Sequence, residues 1–215
     1  MGDYLFVKAR VICSSGMQIA ASNTTEIYLS DIHYPYQDVA CEELTHTIVS
    51  QYQPSILFLG GDIVDFFSVS AFSKDPARKL DLQHDLDYAR RKLEAYRKEA
   101  PNARIFYQAG NHELRLQKYL WNRAEELSGL HALTIAELLD FKSLEIKWIP
   151  QGELSKIGDL HHIHGNEVGG GSINPARNIF LKAPGNVIFG HYHVIQLHYH
   201  RELSGKTHGS WANGC

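Results

Sequence analysis

Cysteine is scarce in this chain of 215 residues: there are 3, Cys13, Cys41 and Cys215, none of them closely spaced. They cannot all pair with one another, and their separation argues against a disulfide framework or a cysteine-based zinc knot. Long apolar runs are missing as well. No stretch approaches the roughly 20 residues that a membrane-spanning helix needs. Nor does one charge dominate: 21 Lys and Arg stand against 24 Asp and Glu, a net charge of −3. That balance argues against a polybasic nucleic-acid coat and against an acidic tail. The opening residues, MGDYLFVKARVICSSGM, lack a basic stretch ahead of an apolar run and a small-residue cleavage site. No signal peptide is expected, and a reducing cytoplasm is the expected setting. What abounds is histidine, with 13 copies. A metal bound here would use imidazole and carboxylate rather than thiolate.

The pattern alternates strands with helices. Residues 4–13 read as a strand or half a hairpin, and TEIYLS (25–30) as a strand that ends at Asp31. A helix is predicted from about Asp38, because Ala40, Leu44, Ile48 and Tyr52 recur every four residues. SILFLG (55–60) is almost wholly apolar, as in a strand buried on both faces. A long helix is predicted over 79–99, with Leu82, Leu86, Ala89, Leu93 and Tyr96 on one stripe and Pro101 as its stop. RIFYQA (104–109) is the next strand, followed by a helix over about 113–127. Thr134 and Glu137 have the spacing of a capping box. After residue 143 the pattern turns to short strands, interrupted by a short helix near 175–182. VGGGSIN (168–174) reads as a flexible loop, since it lacks the spacing of a nucleotide cradle. No linker separates the parts, so one α/β domain over 1–215 with two packed sheets is expected. THGSWANGC closes the chain just after a strand-like run, which leaves a truncated and a natural terminus both open.

The polar residues fall where the predicted strands end. TEIYLS runs into Asp31-Ile32-His33, and SILFLG into Gly61-Asp62 with Asp65 three residues on. RIFYQA runs into Gly110-Asn111-His112-Glu113, LHHI into His164-Gly165, and NVIF into Gly190-His191-Tyr192-His193. Ligand sites of open α/β sheets lie at this carboxyl edge, so groups scattered along the chain are expected to converge in space. Imidazole with carboxylate suits Zn, Fe, Mn or Ni, whereas an oxygen-only set would suit Mg or Ca. Two metal ions roughly 3.5–4 Å apart need a bridging ligand, and Asp62, on a buried strand and central in order, is the natural one.

The ordered set D-x-H, G-D-x-x-D, G-N-H-E, H-G and G-H-x-H over residues 31 to 193 resembles the calcineurin-like metallophosphoesterases, in particular small bacterial and phage members. The resemblance implies an α/β/β/α sandwich: two packed mixed β-sheets flanked by helices, with a dinuclear site at the strand ends. It implies that Asp31, His33, Asp62 and His193 hold one divalent transition-metal ion and Asp62, Asn111, His164 and His191 the other, manganese foremost, with Fe, Zn or Ni as alternatives. It implies a phosphoester hydrolase in which a hydroxide between the metals attacks phosphorus in line. His112 would then assist the leaving group, with Asp65 orienting its ring.

Arg115 has two readings: a bidentate contact to a substrate phosphate, or a pair with an acid on the helix surface. His162 points to the same strand face as His164 and is read as structural, with support of the site from behind a ligand as the other reading. His46, His84 and His131 are expected in solvent. His161, His198, His200 and His208 are expected half-exposed on strands. Serine/threonine protein phosphatases of this superfamily usually carry Arg directly after G-D-x-x-D, where this chain has Phe66. The H-G form at His164-Gly165 is shared with the superfamily's repair nucleases. The expected substrate is therefore a phosphodiester, a nucleotide or a nucleic-acid end, although no strong basic patch marks a nucleic-acid track. A phosphomonoesterase or protein phosphatase, and a non-catalytic binding scaffold, are the alternatives. The scaffold is disfavoured because all the expected ligands and His112 are present.

Overall fold

The computed structural model describes residues 25–74, 81–168, 173–183 and 185–214. The strand expected over 4–13 and most of the glycine-rich loop (169–172) lie outside these residues. Strands β1 (Glu26–Leu29), β2 (Ile56–Leu59), β3 (Arg104–Gln108) and β4 (Ile146–Ile149) form one sheet in that order. All of its pairings are parallel. The expectation of mixed sheets is thus met only by the second sheet. Its first three strands are each followed by a helical crossover, and a crossover of that kind returns the chain parallel. The helices are α1 (Val39–Tyr52), α2 (Leu82–Glu99), α3 (Glu113–Arg123) and α4 (Ile135–Leu138), and α5 (Pro175–Phe180) lies later in the chain. Strands β5 (Ser155–Ile157), β6 (Leu160–His162), β7 (Asn186–Phe189), β8 (Gln196–Arg201) and β9 (Thr207–Ala212) form the second sheet, in the order β5-β6-β7-β9-β8. There β5/β6 and β8/β9 are antiparallel, and the other two pairings are parallel.

Alternation along the strands sorts side chains between layers. Ile27, Leu57, Leu59, Ile105 and Tyr107 face the helices, where they pack with Leu86, Ala89, Leu93 and Tyr96 of α2. Ile56 and Phe58 face the second sheet, with Tyr28, Phe106 and Ile157 against them. On the far side α5 places Ala176 and Ile179 on Val187, Phe189 and Ala212. The layers are therefore helix, sheet, sheet, helix. Every side chain of β2 is fully buried, as its apolar run requires. Among the described residues no helix is long and apolar enough to cross a membrane.

Helix caps follow the sequence. Asp38 accepts from the Cys41 amide at 2.9 Å and Asp81 from the His84 amide at 3.1 Å, each taking up an amide that the first turn leaves unpaired. The Thr134 hydroxyl accepts from the Glu137 amide at 3.4 Å. The orientation of α1 departs from its stripe: Ala40, Leu44 and Tyr52 are exposed, and the helix turns Glu42 and Val49 inward. Its contact with α2 is polar, which overrides the period-four pattern. Glu42 accepts from Lys92 at 2.9 Å and from Gln37 at 3.0 Å. His46, expected in solvent, bonds Glu99 at 2.7 Å and stacks on Tyr96 at 4.3 Å. His84 and His131 do lie in solvent, whereas His161 is buried by the sheet rather than half-exposed.

Candidate metal centre

Five strand ends from both sheets meet at one edge. Asp31 and His33 follow β1, Asp62 and Asp65 follow β2, and Asn111 and His112 follow β3. His164 follows β6, and His191 and His193 follow β7. The backbone there is unusual. Asp31, His33, Asp62, His191 and His193 all have positive φ, between 53 and 69°. Such a left-handed conformation is uncommon for non-glycine residues and costs on the order of 1–3 kcal/mol each, so it persists where its surroundings impose it, typically at functional sites. It turns the side chains of neighbouring positions into one space instead of onto alternate faces.

Donor atoms gather there in three overlapping groups: Asp31 with His33 and His193, His33 with Asp62 and His112, and Asp62 with His164 and His191, each mutually within 4.8 Å. Asp62 belongs to two of the groups and His33 to two. His164 Nε2 lies 3.2 Å from Asp62 Oδ2 and 3.2 Å from Asn111 Oδ1, which brings Asn111 to the third group. His193 Nε2 is 3.7 Å from Asp31 Oδ1, and its ring stacks on His33 at 5.3 Å. Asp31, Asp62 and His164 are buried while His193 is exposed, so the cluster opens to solvent on that side. The His191 amide donates to both oxygens of Asp31, at 3.0 and 2.9 Å, and the other nitrogen of His164 meets the Gly60 carbonyl at 2.9 Å. Such contacts behind the donors fix their orientation.

The donor set fits divalent transition-metal ions. Imidazole, carboxylate and a carboxamide oxygen converge without thiolate. Moreover, His33 Nε2 is buried and has no hydrogen-bond partner among the described residues, an orphan that a cation would satisfy. Electrostatics point the same way. Burial raises the Asp62 carboxyl, but the hydrogen bond and charge of His164, with His112 nearby, outweigh it and hold it down at about 2. Burial lowers His164, and the hydrogen bond and charge of Asp62 reverse this and hold it up at about 9. Burial, then the His164 charge, pushes His191 down. Asp62 is thus an anion, and His164 holds a proton that a metal ion would displace.

His112 stands at the rim with both ring nitrogens engaged. Its Nδ1 lies 3.0 Å from the Asp65 carbonyl and 3.3 Å from the Asp65 carboxylate, and its Nε2 lies 2.7 Å from Arg115 Nη2. Arg115 also donates to the Asp65 carbonyl at 2.8 Å and carboxylate at 3.1 Å. Arg115 therefore faces the cluster rather than a surface acid. Burial raises Asp65, but hydrogen bonds from His112 and His33, with Arg115 beside them, hold it well below the usual carboxylate range.

Two buried pairs escaped the sequence reading. His162, fully buried, bonds Glu26 Oε1 at 2.6 Å and stacks on Phe58 at 4.3 Å, which joins the sheets directly behind His164. Glu113, whose neighbours suggested only the opening of a helix, is buried and accepts from four backbone amides and the Tyr107 hydroxyl. Burial, then the Asp62 charge, pushes its carboxyl up. A glutamate in the first turn of a helix that follows a strand end was the available signal.

Residues 27–207 match the family model described as calcineurin-like phosphoesterase. No curated protein gives a significant match to the chain.

Proposed function

The chain belongs to the calcineurin-like phosphoesterase family of metal-dependent phosphoric ester hydrolases, and on that premise we propose how its residues divide the work and which esters it prefers. Asp31, His33, Asp62 and His193 would hold one divalent ion, and Asp62, Asn111, His164 and His191 the other, with Asp62 contributing to both. Bound there, two such ions supply a nucleophile at neutral pH and neutralise charge that builds on the phosphoryl oxygens. Manganese, with iron, zinc or nickel as alternatives, suits the mixed nitrogen and oxygen set. What supports this division above all is the placement of Asp62 in two of the three donor groups.

His112 assists the departing oxygen: its Nε2, which here accepts from Arg115, takes up a proton once Arg115 leaves it and passes that proton to the oxygen. Asp65 fixes the ring through Nδ1 and so points Nε2 into the cluster, 3.6 Å from Asp62 Oδ2. Arg115, now on that Nε2, swings to a phosphoryl oxygen when the substrate arrives. The engaged nitrogens of His112, set against the orphaned Nε2 of His33, support a substrate-facing role for the first and a ligand role for the second.

The preferred substrate is a phosphodiester, with a nucleotide or nucleic-acid end as its natural form. Phe66 stands where protein phosphatases of the superfamily usually carry Arg, and its ring lies fully buried in the core. That position offers no cation to a phosphoprotein. Phe72 is exposed and its ring lies 5.6 Å from the Arg115 guanidinium, an apolar surface next to the proposed phosphoryl contact that suits the organic half of a diester. The test is release of p-nitrophenol from bis- and mono-p-nitrophenyl phosphate by manganese-loaded protein. Faster hydrolysis of the diester is expected. Hydrolysis of neither ester refutes the catalytic reading for simple substrates, and hydrolysis of the monoester alone refutes the diester preference.

A further inference from the structure

Strands β2 and β3 pair up to Leu59 and Tyr107, and there the ladder stops. Beyond it, the segment from Gly61 to Val64 keeps a neighbour on one side. The carbonyls of Gly61, Asp62 and Ile63 accept from the amides of Asp31, His33 and Tyr34 at 3.0, 3.0 and 2.8 Å. On the other side β3 has turned away, and the amides of Asp62, Ile63 and Val64 would be buried without acceptors, a condition that native structures rarely tolerate. Glu113 supplies the acceptors. Its Oε1 takes the amides of Ile63 at 2.9 Å and Val64 at 3.3 Å and the Tyr107 hydroxyl at 2.7 Å. Its Oε2 takes the amides of Asp62 at 2.9 Å and Gly110 at 2.8 Å.

We propose that Glu113 is the positioning residue of the metal centre: its side chain stands in for the missing strand and ties the loop after β2 to the loop after β3. The inference rests on the ligand set proposed above. Asp62, with its left-handed backbone, and Asn111, next to Gly110, are thereby held side by side before any ion arrives. The residue type follows from the partners. Four backbone N–H groups converge, and both oxygens must accept. A glutamine offers one oxygen and one NH2 group. Whichever way it turns, the NH2 group meets at least two backbone N–H groups, either those of Ile63 and Val64 or those of Asp62 and Gly110.

Two measurements decide the matter. In wild-type protein stripped of metal, hydrogen exchange at the amides of Asp62, Ile63 and Gly110 is expected to be as slow as in β2; exchange at the rate of exposed loops overturns the proposal. In the second, Glu113→Gln and Tyr107→Phe are titrated with Mn²⁺ beside the wild type. Tyr107→Phe removes the phenol bond and leaves the four amide bonds, so it lowers the melting temperature but keeps Mn²⁺ affinity within about twofold of wild type. Glu113→Gln is expected to weaken Mn²⁺ binding by about 10- to 100-fold, the usual cost of losing a group that orients a ligand. Unchanged affinity in Glu113→Gln, or equal losses in both variants, overturns the proposal. Should Glu113→Gln fail to fold, the exchange rates of the wild type decide. Should the wild type bind no Mn²⁺, the proposed ligand set fails, and the same exchange rates still decide the role of Glu113.

Discussion

Replacing Gly110 with alanine adds one methyl group at the most crowded point of the centre. A Cβ there would lie 2.3 Å from Asp62 Oδ1, 2.6 Å from the Asp62 amide nitrogen and 2.9 Å from His164 Cε1. Non-bonded heavy atoms settle at about 3.5 Å or more, so the clash demands about 1 Å of movement. It cannot be relieved by a side chain swinging into solvent, because Asp62 and His164 are buried and the nitrogen belongs to backbone. Overpacking of this kind costs about 1–3 kcal/mol, which for a chain of this size lowers the melting temperature by roughly 3–10 °C. A domain stable by about 5–15 kcal/mol still folds. A metal site tolerates about 0.2 Å of ligand displacement, however, so a 1 Å shift of Asp62 removes far more binding than stability. We expect Gly110→Ala to bind Mn²⁺ about 100-fold more weakly, in line with losses seen when ligands are mis-oriented. Gly129→Ala is the matched control. A Cβ at Gly129 meets nothing within 4 Å, and stability there should move by no more than about 0.5 kcal/mol. The assay is thermal unfolding in chelator followed by Mn²⁺ titration. Wild-type affinity in Gly110→Ala, with an unshifted melting temperature, would refute the packing argument.

Further outcomes follow from the same geometry. His112→Ala should keep its metal content and lose about 10²- to 10⁴-fold in kcat, the usual contribution of a positioned acid. Asp62→Asn should lose metal, measured by elemental analysis. Metal content and rate equal to wild type in both variants would sink the assignment. Arg115→Ala should raise KM about 10- to 100-fold, the worth of a charged hydrogen bond to an anion; an unchanged KM places Arg115 off the substrate. In metal-free protein His164 is held up at about 9 against an ordinary 6.5. Its pair with Asp62 therefore stabilises fully between the ordinary Asp62 value of 3.8 and about 6.5, and that stability is lost as pH rises from there through about 9. Urea titrations in chelator should fall across that window while Mn²⁺ affinity climbs, as the competing proton leaves. A stability that stays flat across the window contradicts the pair.

The strand ends were legible because the sequence there changes character abruptly. An apolar run such as ILFL, followed by glycines, marks a buried strand, and the first polar residue after Gly60-Gly61, Asp62, lies at the sheet's edge. Asp31, Asp62 and His164 were placed in that way, and the structure brings them together. The partners behind them were not legible, because each bond spans many residues. His162 meets Glu26 across 136 positions and Glu113 reaches Asp62 across 51. Periodicity reports only local pattern, so His162 could be placed on a face but not given a partner. Arg115 stood between two readings, a substrate phosphate and a helix-surface acid, for the same reason: Asp65, the acid it meets, lies 50 positions away. The face of α1 was misjudged for a different cause. Of the four stripe residues only Ile48 packs on the core, and the helix meets α2 through Glu42 on Lys92 and His46 on Tyr96.

The packing of one sheet on the other has a consequence for the order of events during folding. In the proposed ligand set each ion takes groups from both: Asp31, His33, Asp62 and Asn111 come from the first sheet, and His164, His191 and His193 from the second. Neither sheet alone carries a complete set. A nascent chain in which the first sheet has formed and the second has not offers a cation only part of its shell. Hydrolytic capacity would then arrive in one step, when Phe58 meets His162 and the layers close.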